Sequence, residues 1–256
     1  MTTRHPYFDN GGNPIALAHR GFSLEGLENS MKAFQAAVDL GFTYLETDAH
    51  GTSDGVAVAL HDETLDRTTD GAGEVSQQLW ETVRLARIGG IEPVPALVDV
   101  LGAWDHVKLN IDVKGDSAIE PVAQAIEKTK AHDRVCIGSF SAQRRRSTIK
   151  LLTRPVATPA AQSEAMRWLV GSWFGVDTER SLAEVDALQI PWRNGPIKFL
   201  RKRQIEAAHA AGRQIHVWTI NDRDEMIELL DLGVDGLVSD RADTLKSVLQ
   251  ARGQWA

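Results

Sequence analysis

Short runs of β-branched residues and alanine recur along the chain, and most are followed by a longer stretch with helical spacing of apolar residues. This recurrence constrains the fold most, because parallel strands need a crossover and a helix is its usual form. Strands are expected at 15–18, 43–48, 56–60, 107–113, 134–138, 155–158, 187–190, 214–219 and 236–238. Helices are expected at 30–40, 118–130, 204–211 and 222–232, with Gly41, Gly212 and Gly233 standing just past three of them. Eight such units in 256 residues give about 32 residues each, the size of one module of a (β/α)8 TIM barrel. An open doubly wound sheet would more often carry a glycine-rich phosphate loop after its first strand, and Ala18-His19-Arg20-Gly21-Phe22 is not one. The interval 62–95, with a helix expected around 75–86, reads as a small insertion after the third strand. The expectation is a single α/β domain over 1–256, its core spanning about 15–245.

Composition narrows the function. With 28 Lys and Arg against 35 Asp and Glu, the net charge is −7, which argues against a nucleic-acid partner. The single cysteine, Cys136, cannot form an internal disulfide. There is no apolar leader at the N-terminus and no run of about 18 apolar residues, so a cytoplasmic protein without stable membrane insertion is expected. The oligomeric state is left open.

The chemistry-bearing residues fall at strand ends. His19 and Arg20 follow the first strand directly. Alternation puts Glu46 and Asp48 on one face of the second strand, about 7 Å apart at a rise of ~3.3 Å per residue. If Asp54-Gly55 forms a two-residue hairpin turn, His61 lies directly across from Asp48; if the third strand instead runs parallel, His61 still ends at the same rim. In Lys108-Leu109-Asn110-Ile111-Asp112-Val113-Lys114, residues Asn110, Asp112 and Lys114 share a face. Three carboxylates on one rim repel one another unless a cation joins them, and oxygen-only donors suit Mg²⁺ or Ca²⁺. With Arg20 and Lys114 that rim becomes net positive and able to hold a phosphodiester. Two histidines free of the metal can serve as general acid and base. Metal-assisted phosphodiester cleavage of a small molecule is the reaction class that follows.

These residues resemble the glycerophosphodiester phosphodiesterase family. The resemblance is carried by His19-Arg20-Gly21, Leu27-Glu28-Asn29-Ser30, Glu46-Thr47-Asp48, Thr52-Ser53-Asp54-Gly55, His61-Asp62, Leu65-Asp66-Arg67-Thr68-Thr69 and Asn110-Ile111-Asp112-Val113-Lys114. Ser139-Phe140, Val217-Trp218-Thr219-Ile220-Asn221 and the stretch 233–240 support it. The resemblance implies a TIM barrel with a small insertion, His19 and His61 as the acid/base pair, and Glu46, Asp48 and Asp112 as ligands of Mg²⁺ or Ca²⁺. It further implies Arg20 and Lys114 on the phosphate oxygens, with Phe140 and Trp218 lining the glycerol and leaving-group side. The implied reaction converts a glycerophosphodiester to glycerol 3-phosphate and an alcohol. Two positions depart from the family pattern: Asp112 stands where Glu is usual, and Leu27 where the turn usually has proline.

Other readings stay open at this level. A lysophospholipase D type activity would use the same chemistry on a lysolipid, and a non-catalytic barrel would only bind phosphorylated glycerol. The triplets Arg144-Arg145-Arg146 and Arg201-Lys202-Arg203 read as solvated helix faces. Arg193 and Lys198, in the glycine- and proline-containing loop after the seventh strand, are within reach of the leaving group, a weaker reading than a purely structural one. The stretch 167–174 fits an outer helix or a hydrophobic lip.

Overall fold

The computed structural model describes residues 5–174, 182–195 and 197–255. The sheet is built from β1 (Ile15–Ala18), β2 (Tyr44–Gly51), β3 (Ala57–Ala59), β4 (Lys108–Val113), β5 (Val135–Gly138), β6 (Ala187–Ile190), β7 (Gln214–Val217) and β8 (Gly236–Ser239). Seven of these run parallel in the order β5-β4-β2-β1-β8-β7-β6, and β3 pairs antiparallel to β2. The helices are α1 (Met31–Asp39), α2 (Trp80–Val83), α3 (Leu97–Ala103), α4 (Ile119–Thr129), α5 (Ala142–Lys150), α6 (Gln162–Phe174), α7 (Lys202–Ala210), α8 (Arg223–Leu232) and α9 (Ala242–Ala251).

The sheet is curled, and its two faces bury different residues. Along β1, Ala16 and Ala18 pack with Phe34 and Ala37 of α1 and with Leu245 and Val248 of α9. The alternate residues, Ile15 and Leu17, join Tyr44, Cys136, Ala157, Ala187 and Val238 in a second cluster drawn from around the sheet. Tyr7 and Phe8 belong to that second cluster, and the Tyr44 hydroxyl donates to the Tyr7 carbonyl at 2.7 Å. Lys108 Nζ donates to the Pro6 and Asp9 carbonyls, fastening the N-terminal segment. Among the described residues no helix is long and apolar enough to cross a membrane.

Three expectations about secondary structure need correction. The stretch 155–158 forms no strand of its own; Ala157 makes an isolated bridge to Cys136, and Pro159 just beyond the stretch makes another to Ala187. The helix expected around 75–86 is broken into a 3₁₀ turn, Val75–Gln77, and the single turn α2, separated by the extended residues Gln78 and Leu79. The β2–β3 loop has three residues rather than two, because Thr52 N–H bonds to Val56 O while Gly55 adopts φ +83°. The register therefore shifts by one, pairing Ala49 with Ala59. His61 falls one residue past the position opposite Asp48.

A separate small core of Leu27, Val58, Leu60, Leu65, Val75, Val83, Ala86, Ile88 and Val94 packs residues 65–94 against the hairpin. Arg145, expected on a solvated face, is buried, its guanidinium bonded to the Pro159 carbonyl and Glu164. Arg201, Lys202 and Arg203 are exposed, as a solvated face requires.

Candidate active site

A cavity of about 300 Å³ opens beyond the C-terminal ends of the strands. His19, Arg20, Glu46, Asp48, His61, Asp112, Lys114, Phe140 and Trp218, all nine residues singled out in the sequence, line it. Local structure explains how each arrives. β1 ends at Ala18, so His19 and Arg20 emerge at the rim. Gly21, at φ +85°, then turns the chain so close to Ala33 that a Cβ there would meet backbone at 2.6 Å. Ser30 caps α1 by accepting the Ala33 N–H at 3.1 Å, which fixes the preceding Glu28 and Asn29. The β2–β4 register pairs Asp48 with Asp112, so these two carboxylates stand side by side.

Each histidine is backed by a carboxylate. His19 Nδ1 is 2.5 Å from Asp240 Oδ1, and Asp240 is held in turn by Asn221 Nδ2 at 2.8 Å. His61 Nδ1 is 2.6 Å from Asp62 Oδ1, and Arg67 Nε and Nη2 grip Asp62 at 2.5 and 2.9 Å. If Nδ1 carries the proton to its carboxylate, Nε2 is left as the basic nitrogen of each ring. His61 is further placed by His50 Nε2, 3.1 Å from the His61 carbonyl. Burial pulls the His19 pKa down, but the Glu46 charge and the Asp240 hydrogen bond outweigh it and raise it above the ordinary 6.5. Arg67 holds Asp62 well below the usual carboxylate range.

The carboxylates facing the cavity are unevenly neutralised. Lys114 Nζ bridges Asp48 Oδ1 at 2.8 Å and Asp112 Oδ2 at 2.7 Å. Arg20 Nε lies 3.0 Å from Asp48 Oδ2, a charge contact in which the N–H is not aimed at the oxygen. Asn29 Nδ2 donates to the same oxygen at 3.1 Å. Burial raises the Asp48 pKa, yet Lys114 and Arg20 prevail and lower it. Among the described residues, Glu46 accepts only the Arg20 backbone N–H, at 3.1 Å, with His19 Nε2 3.8 Å away. Burial and then the Asp48 charge push Glu46 up to about 7, and burial raises Asp112 as well. Among the described residues, no three His, Cys, Asp or Glu side chains are already drawn together as metal ligands.

The opposite wall is apolar. Phe140 is 51% exposed, its ring 6.0 Å from that of Trp218 and under Lys114 Nζ at 5.6 Å. Ala165, Met166 and Leu169 of α6 continue this wall, while Val170, Trp173 and Phe174 stand in solvent. The stretch 167–174 is thus both a packed helix, through Trp168 and Leu169, and a lip. Arg193 and Lys198 pair with Glu225 and Glu228 of α8, at 2.6 and 2.7 Å, and do not line the cavity.

Sequence reasoning assigned no role to Asp240, Asp62, Asn29, Glu28 or Arg67. Asp62 was signalled by following His61 directly, and Asp240 by following the last strand. The partners of Glu28 and Arg67 are visible only once the chain has folded.

The pattern of the Glycerophosphoryl diester phosphodiesterase family matches residues 19–244. The chain is 45% identical to the Mycobacterium tuberculosis protein named Probable glycerophosphodiester phosphodiesterase 2, over 95% of this chain and 94% of that one. The fold is similar to the crystal structure of glycerophosphodiester phosphodiesterase from Agrobacterium tumefaciens (TM-score 0.73, 24% identity, 93% of this chain and 99% of that one). It is similar too to an Oleispira antarctica phosphodiesterase solved in complex with the product sn-glycerol-3-phosphate (TM-score 0.76, 21% identity, 93% and 97% of the two chains). This chain belongs to the glycerophosphoryl diester phosphodiesterase family.

Proposed function

We propose that the chain is a metal-dependent glycerophosphodiester phosphodiesterase that releases glycerol 3-phosphate and an alcohol, with His19 and His61 as its acid/base pair. The observation that carries this reading is that both histidines line one cavity, each with Nδ1 on a carboxylate, beside the cations of Arg20 and Lys114. One imidazole takes the proton of the attacking hydroxyl, from water or the glycerol itself, and the other protonates the departing alcohol. Arg20 and Lys114 hold the phosphate oxygens and neutralise charge as it develops there. Phe140 and Trp218 exclude water from the glycerol and leaving-group side.

Glu46, Asp48 and Asp112 are the donors for a hard divalent cation, Mg²⁺ or Ca²⁺. The fit rests on donor chemistry: three carboxylates line the cavity, and its two cations, Arg20 and Lys114, pair with Asp48 and Asp112 rather than with Glu46. When bound, such an ion polarises the phosphoryl group and lowers the pKa of an attacking hydroxyl.

The fold on which this reading stands is a (β/α)8 TIM barrel. Both sheet edges bond to the 157–160 segment, through Ile137 N–H to Ala157 O and Ala160 N–H to Ala187 O, each 2.8 Å, which supports it as the eighth stave. The residues after β3, with their own small core, are the insertion. The buried, lone Cys136 suits a reducing cytoplasm.

The test is hydrolysis of glycerophosphocholine. Activity lost in His19→Ala and His61→Ala and abolished by EDTA supports the reading; full activity in either variant removes the acid/base assignment, and indifference to EDTA removes the metal. The apolar wall of Met166, Leu169, Phe199 and Trp218 favours one second reading, cleavage of a lysolipid. Faster turnover of lysophosphatidylcholine than of glycerophosphocholine would select it.

A further inference from the structure

Arg67 lies outside the cavity, half exposed, and no chemical step uses it. Its guanidinium nevertheless holds two carboxylates at once. Asp62 receives Nε at 2.5 Å and Nη2 at 2.9 Å, and Glu28 receives Nη2 at 2.7 Å and Nη1 at 3.4 Å. Each carboxylate then leads to a side chain that faces the cavity. Asp62 Oδ1 is 2.6 Å from His61 Nδ1, and Glu28 Oε1 accepts Arg20 Nη1 at 3.0 Å. His61 and Arg20 follow different strands, and this chain of five side chains ties them together.

A half-exposed network of ion pairs is a weak stabiliser, since solvent screens it. Its consequence is geometric. The planar fork fixes both the position and the plane of Asp62, which a lysine ammonium, being a single point charge, does not. Without the fork, Asp62 swings freely and the His61 ring loses the partner that sets its tautomer and direction.

We propose that Arg67 is a positioning residue, clamping Asp62 and Glu28 so that His61 and Arg20 address the same phosphate. This rests on the reading that those two side chains act on the phosphodiester. The experiment compares Arg67→Ala, Arg67→Lys and His61→Ala on glycerophosphocholine, each with and without millimolar guanidinium, together with their melting temperatures. Arg67→Ala is expected to lose kcat roughly 10- to 100-fold, the scale of a small misplacement of a catalytic group, with little change in melting temperature. Added guanidinium restores part of that kcat and none to His61→Ala, and Arg67→Lys recovers less than a Lys that merely supplied charge would. If Arg67→Ala stays within about twofold of wild type while His61→Ala is dead, the proposal is overturned and the acid/base reading stands. A loss that follows a fallen melting temperature and ignores guanidinium also overturns it. Full activity in His61→Ala would instead overturn the reading beneath.

Discussion

His19 Nδ1 lies 2.5 Å from Asp240 Oδ1, so the residue after the first strand is joined to the residue after the last at the cavity rim. Asp240 is also tied to Asn221 through its Oδ2 and its backbone N–H, which keeps the carboxylate from turning away. The pair is a closure of the fold and a device for aiming an imidazole. Asp240→Asn keeps the size of the side chain and removes the charge. Its kcat should fall about 10- to 100-fold, less than the full contribution of a general acid or base because the imidazole itself remains. The pH profile should move in a definite sense. His19 is raised above 6.5 despite burial, by Glu46 and Asp240, so losing the Asp240 charge moves the His19-dependent limb to lower pH. A limb that stays in place would show that Asp240 does not act through His19.

The same shift has a consequence for stability. A group whose folded pKa is raised stabilises the fold fully below its unfolded value and ceases to do so as pH rises through the folded value. The urea midpoint of the wild type should therefore decline from about pH 6.5 upward by an amount that His19→Gln abolishes. Parallel curves for the two proteins would refute it.

Lys114 occupies the gap between Asp48 and Asp112, and removing its ammonium leaves two adjacent, largely buried carboxylates facing each other. Lys114→Met should destabilise the protein by about 2–4 kcal/mol, near the cost of breaking a buried pair from one side. A divalent cation at 100 times its dissociation constant contributes about 2.7 kcal/mol. Mg²⁺ or Ca²⁺ should therefore raise the melting temperature of Lys114→Met more than that of the wild type. Equal rises, measured by calorimetry, would mean that the carboxylates do not hold the ion.

How far the sequence foretold this arrangement depends on the range of the interaction. β1 and β6 coincide with the runs 15–18 and 187–190, because apolar periodicity is local. The faces of β2 and β4 were legible for the same reason: alternation alone sends Glu46, Asp48, Asp112 and Lys114 into one cavity. The β2–β3 register was not, since one additional loop residue at Gly55 shifts every pairing. Segment 155–158 has strand composition but meets its neighbours only in single bridges, which periodicity does not reveal. Asp240 and Arg67 act through partners 221 and 39 residues away, distances that no local pattern encodes.

Gly51 ends β2 directly beneath Ser117, and a Cβ built there would stand 2.0 Å from the Ser117 carbonyl oxygen and 2.5 Å from its carbon. Both are backbone atoms, so the segment Asp116–Ala118 must move to admit a methyl group. Gly51→Ala should cost about 3 kcal/mol or more, at the upper end for overpacking. Lys114 precedes that segment closely, so activity should fall as well. A urea midpoint within experimental error of wild type would show that the turn yields without cost.

The aromatic lip offers a prediction that separates binding from chemistry. Phe140 is half exposed and touches the site only through its ring, 6.0 Å from Trp218 and under the Lys114 ammonium. Such a contact is made equally by ground state and transition state, so truncation should raise KM while leaving kcat nearly intact. Phe140→Ala is expected to raise KM for glycerophosphocholine about 3- to 10-fold, the loss of one partly buried aromatic and its cation contact. Because the ring is not core, the melting temperature should change little. A longer apolar leaving group engages more of the wall formed by Met166, Leu169 and Trp218, and the Phe140→Ala penalty should then shrink. A fall in kcat with KM unchanged would instead place Phe140 among the groups that hold Lys114 for the reaction, since its ring underlies that ammonium.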